Sequence, residues 1–482
     1  MTTIDYAVIA FYFATIVAVG VSFSGGQKSL KDYFLGGNDV PWWAAAASGI
    51  ATLVSAVSYL SAPGVAATGD FTLHQYRLGL PVAILVLCGL LLPYFHRQQR
   101  YSIYAYFEER FDLKARLCAS ALFVVLKVCY IGLATYAPAL VIQTMFGWSV
   151  WPVVLFVGAV TTIYTMLGGI KAVIWTDALQ LVVLMGGLVA VGVVLLGRIE
   201  GGLGEVVAVG MANDKFRFLD FSFDLTVRYT FWGGLVGGTF YLLTQYGVDQ
   251  AELQRFMATR TPRDGNLSLV ATLLMTFAFG LFVFFIGTML FVFYTQQPEK
   301  GGLAVTSNEI FPKFIIEELP AGLKGLLVAG VLSAAMSTIS SVLNSVTTVG
   351  IADFYNRFAA RPSSVALARG VTLAVGLIGT LIAGFAGSLG NILELAMTLN
   401  SFFGGPLVGI FLLGMLSKRA TANAAFAGLL TGLGVAVWLG SATQVSFLWY
   451  GAFSATATFA TGWLLSLTIG GRPVRTADAE SR

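Results

Sequence analysis

Long apolar runs alternate with short polar segments along almost the whole chain. A transmembrane helix needs about 20 apolar residues. Thirteen windows meet that need, near 5–23, 42–66, 76–95, 117–146, 149–167, 171–197, 229–251, 267–295, 323–355, 365–386, 391–416, 421–440 and 446–469. The pattern predicts an all-α membrane protein of about 13 transmembrane helices. Two windows break their own pattern. The second, WWAAAASGIATLVSAVSYLSAPG, is interrupted by Ser48-Gly49, Thr52, Ser55 and Ser58 and ends at Pro63-Gly64. The seventh, WGGLVGGTFYLLTQYGVDQ, is glycine-rich and then polar at Gln245 and Tyr246. Two such spans, five helices apart, fit an inverted-repeat transporter whose unwound backbone offers carbonyls to an ion. The plainer alternative is that Gly and Ser only let helices pack closely.

The ninth window carries the most unusual stretch, LSAAMSTISSVLNSVTT at Leu332–Thr348. Ser337, Ser341 and Ser345 recur every four residues, and Ser340 sits one step round the helix, so they crowd one side. Hydrocarbon does not reward a hydroxyl stripe. Its natural partner is a small hard cation bound by oxygens.

Composition agrees with a membrane protein. Of 482 residues, 57% are hydrophobic and 11% charged, where soluble domains carry roughly 25% charged residues. With the N-terminus outside, most Lys and Arg residues fall in inner segments, and the C-terminus lies in the cytoplasm. The net charge of +4 is no nucleic-acid signal, and no obligate protein partner is evident. Cys88, Cys118 and Cys129 lie in or near apolar spans without metal-ligand spacing and read as buried free thiols. The first span lacks a basic leader and a cleavage site and reads as retained. Segment 96–116, mixing aromatics with both charge signs, suggests a short interfacial helix. The tail after Gly471 is short and polar.

Charges inside spans need partners. Asp177 pairs either with a cation near the serine face or, by a short reach, with the inner interface, since Lys171 is about 9 Å away along a helix. Lys127 is either half of a structural ion pair or an anchor for a substrate carboxylate. Arg77 begins the third span, where reaching to the outer interface is the simpler reading. Asp249 and Glu394 sit at span ends and carry less weight. Nothing points to an enzyme: His74 and His96 are not paired in sequence, and no phosphate-binding GxxxxGK[ST] loop is present.

The residues resemble the sodium:solute symporter family. YFLGGNDVPWWAAAASGIATLVSAVSYLSAPG is similar to its entry motif and first core helix. TIYTMLGGIKAVIWTDALQ resembles the junction of its fourth and fifth core helices, and GLLVAGVLSAAMSTISSVLNSVTTVGIADFY its eighth. YGVDQAELQRFMATR and GGPLVGIFLLGMLSKR extend the match across most of the chain. The resemblance implies a LeuT-type core of two inverted five-helix repeats. It divides the chain into an extra N-terminal helix and inner loop (1–39), a first repeat (40–198), a second repeat (199–417), and two further helices with a cytoplasmic tail (418–482).

It also implies a sodium site formed by carbonyls of Ala51, Val54 and Ala334 with the hydroxyls of Ser337 and Thr338. A second sodium site, found in some members, implicates Asp177, Ser337, Ser340 and Ser341. Solute contacts are implied at Ser55, Ser58, Gln75, Arg77, Lys127, Tyr130, Gln245, Tyr246, Asn400 and Phe402. Sialic acid transporters of the family carry an arginine where Tyr130 aligns, so Tyr130 argues against sialic acid here.

The resulting expectation is a sodium-coupled secondary active symporter in the cell membrane. It imports a small polar organic solute by alternating access, with an organic anion of monocarboxylate type ahead of a sugar or other neutral solute. A proton-coupled carrier on the same fold would need no serine constellation. A membrane sensor would need a signalling module, which the short tail does not offer. Whether one or two sodium ions move per cycle stays open.

Overall fold

Backbone polar groups have no water to bond in hydrocarbon, so apolar runs of this length satisfy themselves as helices. The structure, a computed structural model, describes residues 1–359, 361–386 and 392–468, with the side chains of Val57 and 392–401 outside the description. The main helical runs are α1 (Thr3–Ser22), α2 (Trp42–Leu53), α3 (Ala56–Thr68), α4 (Phe71–Gln98), α5 (Leu113–Phe146), α6 (Val150–Arg198), α7 (Gly238–Gly247), α8 (Gln250–Met257), α9 (Pro262–Gln296), α10 (Leu323–Val349), α11 (Val365–Ala386), α12 (Ile392–Leu416), α13 (Ala422–Ala442) and α14 (Tyr450–Thr468). Among the described residues there is no β-strand, only an isolated bridge between Val40 and Thr259.

Wherever they are described, the apolar windows fold mostly as helix. By length and hydropathy, eight helices among the described residues suit a bilayer crossing, or nine with the bent pair α2–α3 taken as one span. That is fewer than thirteen, for identifiable reasons. Two windows merge in the 49-residue α6, which departs from helical geometry at Gly169 (φ 57°, ψ −153°). A straight helix of that length would run about 74 Å, more than twice the hydrocarbon core, and Gly169 is the place where its backbone leaves helical geometry. Only glycine enters that backbone region at no steric cost, and Tyr33 packs where a side chain would stand. The other short counts fall at α7, α12 and α14, which are short or rich in Gly, Ser and Thr.

Lipid-facing surface is apolar. Phe11 and Leu85 are each more than 70% exposed, which is tolerable in hydrocarbon and a liability in water. α10 is the reverse, with every residue from Leu327 to Val349 buried. It packs against α1, α2, α3, α5, α6, α8 and α11. Its start is capped from another helix: Asp5 Oδ1 of α1 accepts the Gly322 N–H at 2.7 Å and the Gly325 N–H at 3.0 Å. Segment 96–116, expected to carry a short interfacial helix, is packed onto the bundle. Its helix, Ala105–Arg110, buries Tyr106 and Phe107, and the Arg110 guanidinium bonds the carbonyls of Gly414, Ser417 and Ala420.

Candidate functional site

The break between α2 and α3 is built by two serines. Val54 has extended geometry (φ −82°, ψ 101°), and the chain bends by 66°. In an unbroken helix the N–H groups of Ser55 and Ser58 would meet the carbonyls of Ala51 and Val54. Here Ser55 N–H donates to Ser58 Oγ at 3.1 Å, and Ser58 N–H to Ser55 Oγ at 3.1 Å. This reciprocal cap leaves the two carbonyls without their helical donors. Between them, the Thr52 carbonyl accepts the Thr338 hydroxyl at 2.9 Å. The same hydroxyl lies 3.0 Å from the Ala334 carbonyl. The structure thus brings Ala51, Val54, Ala334 and Thr338 to one junction of α2, α3 and α10.

One turn deeper lies a charged cluster. Asp177 Oδ2 accepts from Ser48 Oγ at 2.6 Å, Thr52 Oγ1 at 3.3 Å and Ser341 Oγ at 3.4 Å. Thr52 Oγ1 also approaches Ser341 Oγ at 3.0 Å and Ser337 Oγ at 3.3 Å. Arg255 Nη1 donates to Ser48 Oγ and Thr52 Oγ1 at 2.8 Å each and stands 3.7 Å from Asp177. A hydroxyl has one proton and two lone pairs, so Thr52 is shared among more partners than it serves at once. Ser340 is directed elsewhere, donating to the Ser337 carbonyl at 3.0 Å. Ser345 does the same to Val342 at 2.9 Å.

Sequence reasoning missed Arg255, Glu252 and the central place of Ser48 and Thr52. Both charged residues lie on α8, an eight-residue helix that is buried throughout. Glu252 is 3.5 Å from Arg255 Nε. The i,i+3 spacing of Glu252 and Arg255 was the available signal. α8 is tied to its surroundings on several sides. The two Nε2 hydrogens of Gln254 are shared among the Phe34 carbonyl at 2.7 Å, Asn344 Oδ1 at 2.8 Å and Thr348 Oγ1 at 3.0 Å. Gln250 bonds the backbone of Tyr101 and Ile103.

Lys127 is paired: its Nζ lies 2.5 Å from Asp249 Oδ2 and 5.4 Å from the Tyr130 ring centroid. Around Asp177 itself, among the described residues, the buried carboxylates of Asp177 and Glu252 face one guanidinium, Arg255. Such an excess favours a bound cation electrostatically.

The remaining solute candidates do not all converge. Gln75 is fully buried, donating to the Tyr229 carbonyl at 3.1 Å and accepting the Asp220 N–H at 2.9 Å. Ser55 and Ser58 are engaged in the cap described above. Phe402 stacks on Tyr450 at 6.3 Å, toward α14. The side chain of Asn400 lies outside the described residues. Tyr246 is buried and Gln245 half-buried on α7. Arg77 is half-buried, its guanidinium carbon 4.9 Å from the Tyr76 ring centroid, and within electrostatic reach of Tyr241 and Tyr246. It forms no ion pair among the described residues, and its Nε is buried without a hydrogen-bond partner.

Residues 33–432 match the sodium:solute symporter family. The chain belongs to that family. It is 33% identical to a sodium/sialic acid symporter, NanT, of Aliivibrio fischeri, over 96% of this chain and 92% of the relative. It is 31% identical to sodium-coupled monocarboxylate transporter 1 of Xenopus laevis, over 92% of this chain and 73% of the relative. A Na+-coupled sialic acid symporter, solved in a substrate-bound outward-open state, superposes with a TM-score of 0.89 at 30% identity, covering 98% of this chain and 99% of that one. The family member is a sodium-coupled secondary transporter, not an enzyme, and the expected all-α, LeuT-type fold is the one observed.

Proposed function

We propose that this symporter carries a carboxylate-bearing organic solute and that Arg77 is the anion anchor. The observation that supports this is the guanidinium of Arg77, which has no ion-pair partner among the described residues, in a bundle where Lys127, the other cation expected to meet the solute, is neutralised by Asp249. Arginine offers a planar fork that matches a carboxylate. Sialic acid and short monocarboxylates both carry that group, which fits the two kinds of relative. The sodium/sialic acid symporters among the relatives put sialic acid ahead of the monocarboxylate type that the sequence favoured. A neutral sugar would leave Arg77 without a counter-charge.

Sodium reads as held at the α2–α3 break by Ala51, Val54, Ala334, Ser337 and Thr338. A second ion belongs near Asp177 and Ser341, with the neighbouring Ser340 turned toward the Ser337 carbonyl. Sodium at the break would bind α2 and α3 to α10 and stabilise the state competent for solute, which is coupling by differential affinity. The membrane potential adds about 2.3 kcal/mol per charge per 100 mV. In this reading the N-terminus is outside, the C-terminus is cytoplasmic, and the inverted repeats are 40–198 and 199–417.

Thermal-shift screening of the purified protein against sialic acid, lactate, pyruvate, glucose and proline, in sodium and in choline, tests the solute class. Stabilisation by an acid, only in sodium and lost in Arg77→Gln, is the expected result. Stabilisation by glucose alone would overturn it, since proline, like the acids, carries a carboxylate that an arginine can meet. Uptake into proteoliposomes driven by a proton gradient without sodium would favour the proton-coupled alternative.

A further inference from the structure

α1 is the helix outside the expected ten-helix core, yet it does more than brace it. Its buried residues, Asp5, Ile9, Tyr12, Phe13, Ile16 and Gly20, form one stripe that packs on α6 and α10. Tyr12 brings a hydroxyl to the middle of that stripe. It accepts from Gln180 Nε2 at 3.3 Å and lies 3.7 Å from Met336 Sδ. Tyr164, from the other half of α6, donates to the Met336 carbonyl at 3.2 Å. Tyr12 is within electrostatic reach of Asp177 and beside Ser333, and Tyr164 is within reach of Asp177, Ser340 and Gln180.

Among the described residues, three buried oxygens here lack a well-formed hydrogen bond: Asp177 Oδ1, Gln180 Oε1 and Ser333 Oγ. Asp177, Gln180 and Ser333 are each fully buried. Asp177 and Gln180 are three apart on α6 and so share a face. Buried acceptors are almost always met by protein, water or an ion, and polar recesses of this kind hold water. All three groups are acceptors or hydroxyls, the donor set a small hard cation takes.

We propose that Tyr12, Gln180 and Ser333 form a hydrated chamber on the Oδ1 side of Asp177, through which the extra N-terminal helix sets the affinity for sodium. Gln180 Oε1 and Ser333 Oγ face the ion directly or through one water. Tyr12 is a positioning residue: it fixes the Gln180 amide so that the oxygen, not the nitrogen, turns toward Asp177. The proposal rests on the reading that Asp177 takes part in sodium binding.

The test uses the full-length purified protein, titrated with sodium chloride at constant ionic strength against choline chloride, with thermal stabilisation as readout and no solute present. Tyr12→Phe keeps the ring that packs edge-on against Phe13 at 5.1 Å. Gln180→Met keeps length without the carbonyl. Each is expected to raise the sodium midpoint about fivefold or more, with the melting temperature in choline unchanged. Should either variant fail to fold, Ser333→Ala reads the same chamber from α10. Midpoints within about twofold of the parent in all folded variants would overturn the proposal. Asp177→Asn, run in parallel, separates the two failures. If it shifts the midpoint while the others do not, the chamber alone is wrong. If it too leaves sodium binding unchanged, the reading of Asp177 fails first.

Discussion

Thr338 of α10 donates its hydroxyl to the Thr52 carbonyl, beside the break between α2 and α3, at 2.9 Å. One hydroxyl proton thereby joins the broken helix to α10. The Ala334 carbonyl competes for the same proton at 3.0 Å, so the hydroxyl turns at little cost when an ion takes its lone pairs. Thr338→Ala removes both the link and the oxygen. Its sodium half-saturation is expected to rise at least tenfold, about 1.4 kcal/mol, whereas Thr338→Ser stays near the parent. Sodium-dependent uptake or thermal shift reads the difference. Equal half-saturation in Ala and Ser variants would mean that this hydroxyl does not meet the ion.

Arg255 holds the interior charges of α8 and α6 together. It stands 3.7 Å from Asp177 and 3.5 Å from Glu252. Arg255→Ala would leave two buried carboxylates facing each other's field, and breaking such a pair costs about 3–5 kcal/mol. The variant is expected to unfold at a much lower temperature in choline. Sodium is expected to restore part of the loss, because a cation near Asp177 replaces part of the missing charge. A sodium dependence of stability no steeper than the parent's would count against an ion beside Asp177.

Much of this architecture is legible in the sequence because apolar length and interrupted spans are strong local signals. The serines of α10 and the break at Ser55 and Ser58 are local too, since capping acts over three residues. The identity of the partners is not local. Arg255 reads as one more inner-loop arginine until tertiary packing places all of α8 in the interior. Lys127 leaves two readings open until Asp249, 122 residues away in the chain, is found 2.5 Å from it. The number of crossings is also blurred, because Gly169 turns the chain without interrupting hydrogen-bonded helix on either side.

The Lys127–Asp249 pair yields a prediction about the solute pocket. Asp249 has a second task, as its Oδ1 accepts the Ala251 N–H at 2.9 Å and caps α8. Asp249→Asn keeps an acceptor for that cap while removing the charge. Lys127→Ala alone strands the carboxylate. It is therefore expected to destabilise more than the double variant Lys127→Ala/Asp249→Asn, by about 1–3 kcal/mol in thermal or denaturant unfolding. The double variant is expected to keep its KM for solute within about twofold. A tenfold rise in KM would place Lys127 on the solute instead of on Asp249.

Asp5 separates anchoring from ion handling on the same helix. Its Oδ1 caps the start of α10 through Gly322 and Gly325, and its Oδ2 accepts the Thr2 N–H at 2.7 Å. A carboxylate there also meets the positive end of the α10 dipole. Asp5→Ala is expected to cost about 1–2 kcal/mol, as lost caps do, and Asp5→Asn less. Because Asp5 lies about 10 Å along α1 from Tyr12, the sodium midpoint of Asp5→Ala is expected to match the parent while its unfolding temperature falls. Tyr12→Phe is expected to show the opposite pattern. If Asp5→Ala shifted the sodium midpoint as much as Tyr12→Phe, α1 would be acting only by holding α10 in place, and the particular chemistry of Tyr12 would carry no weight.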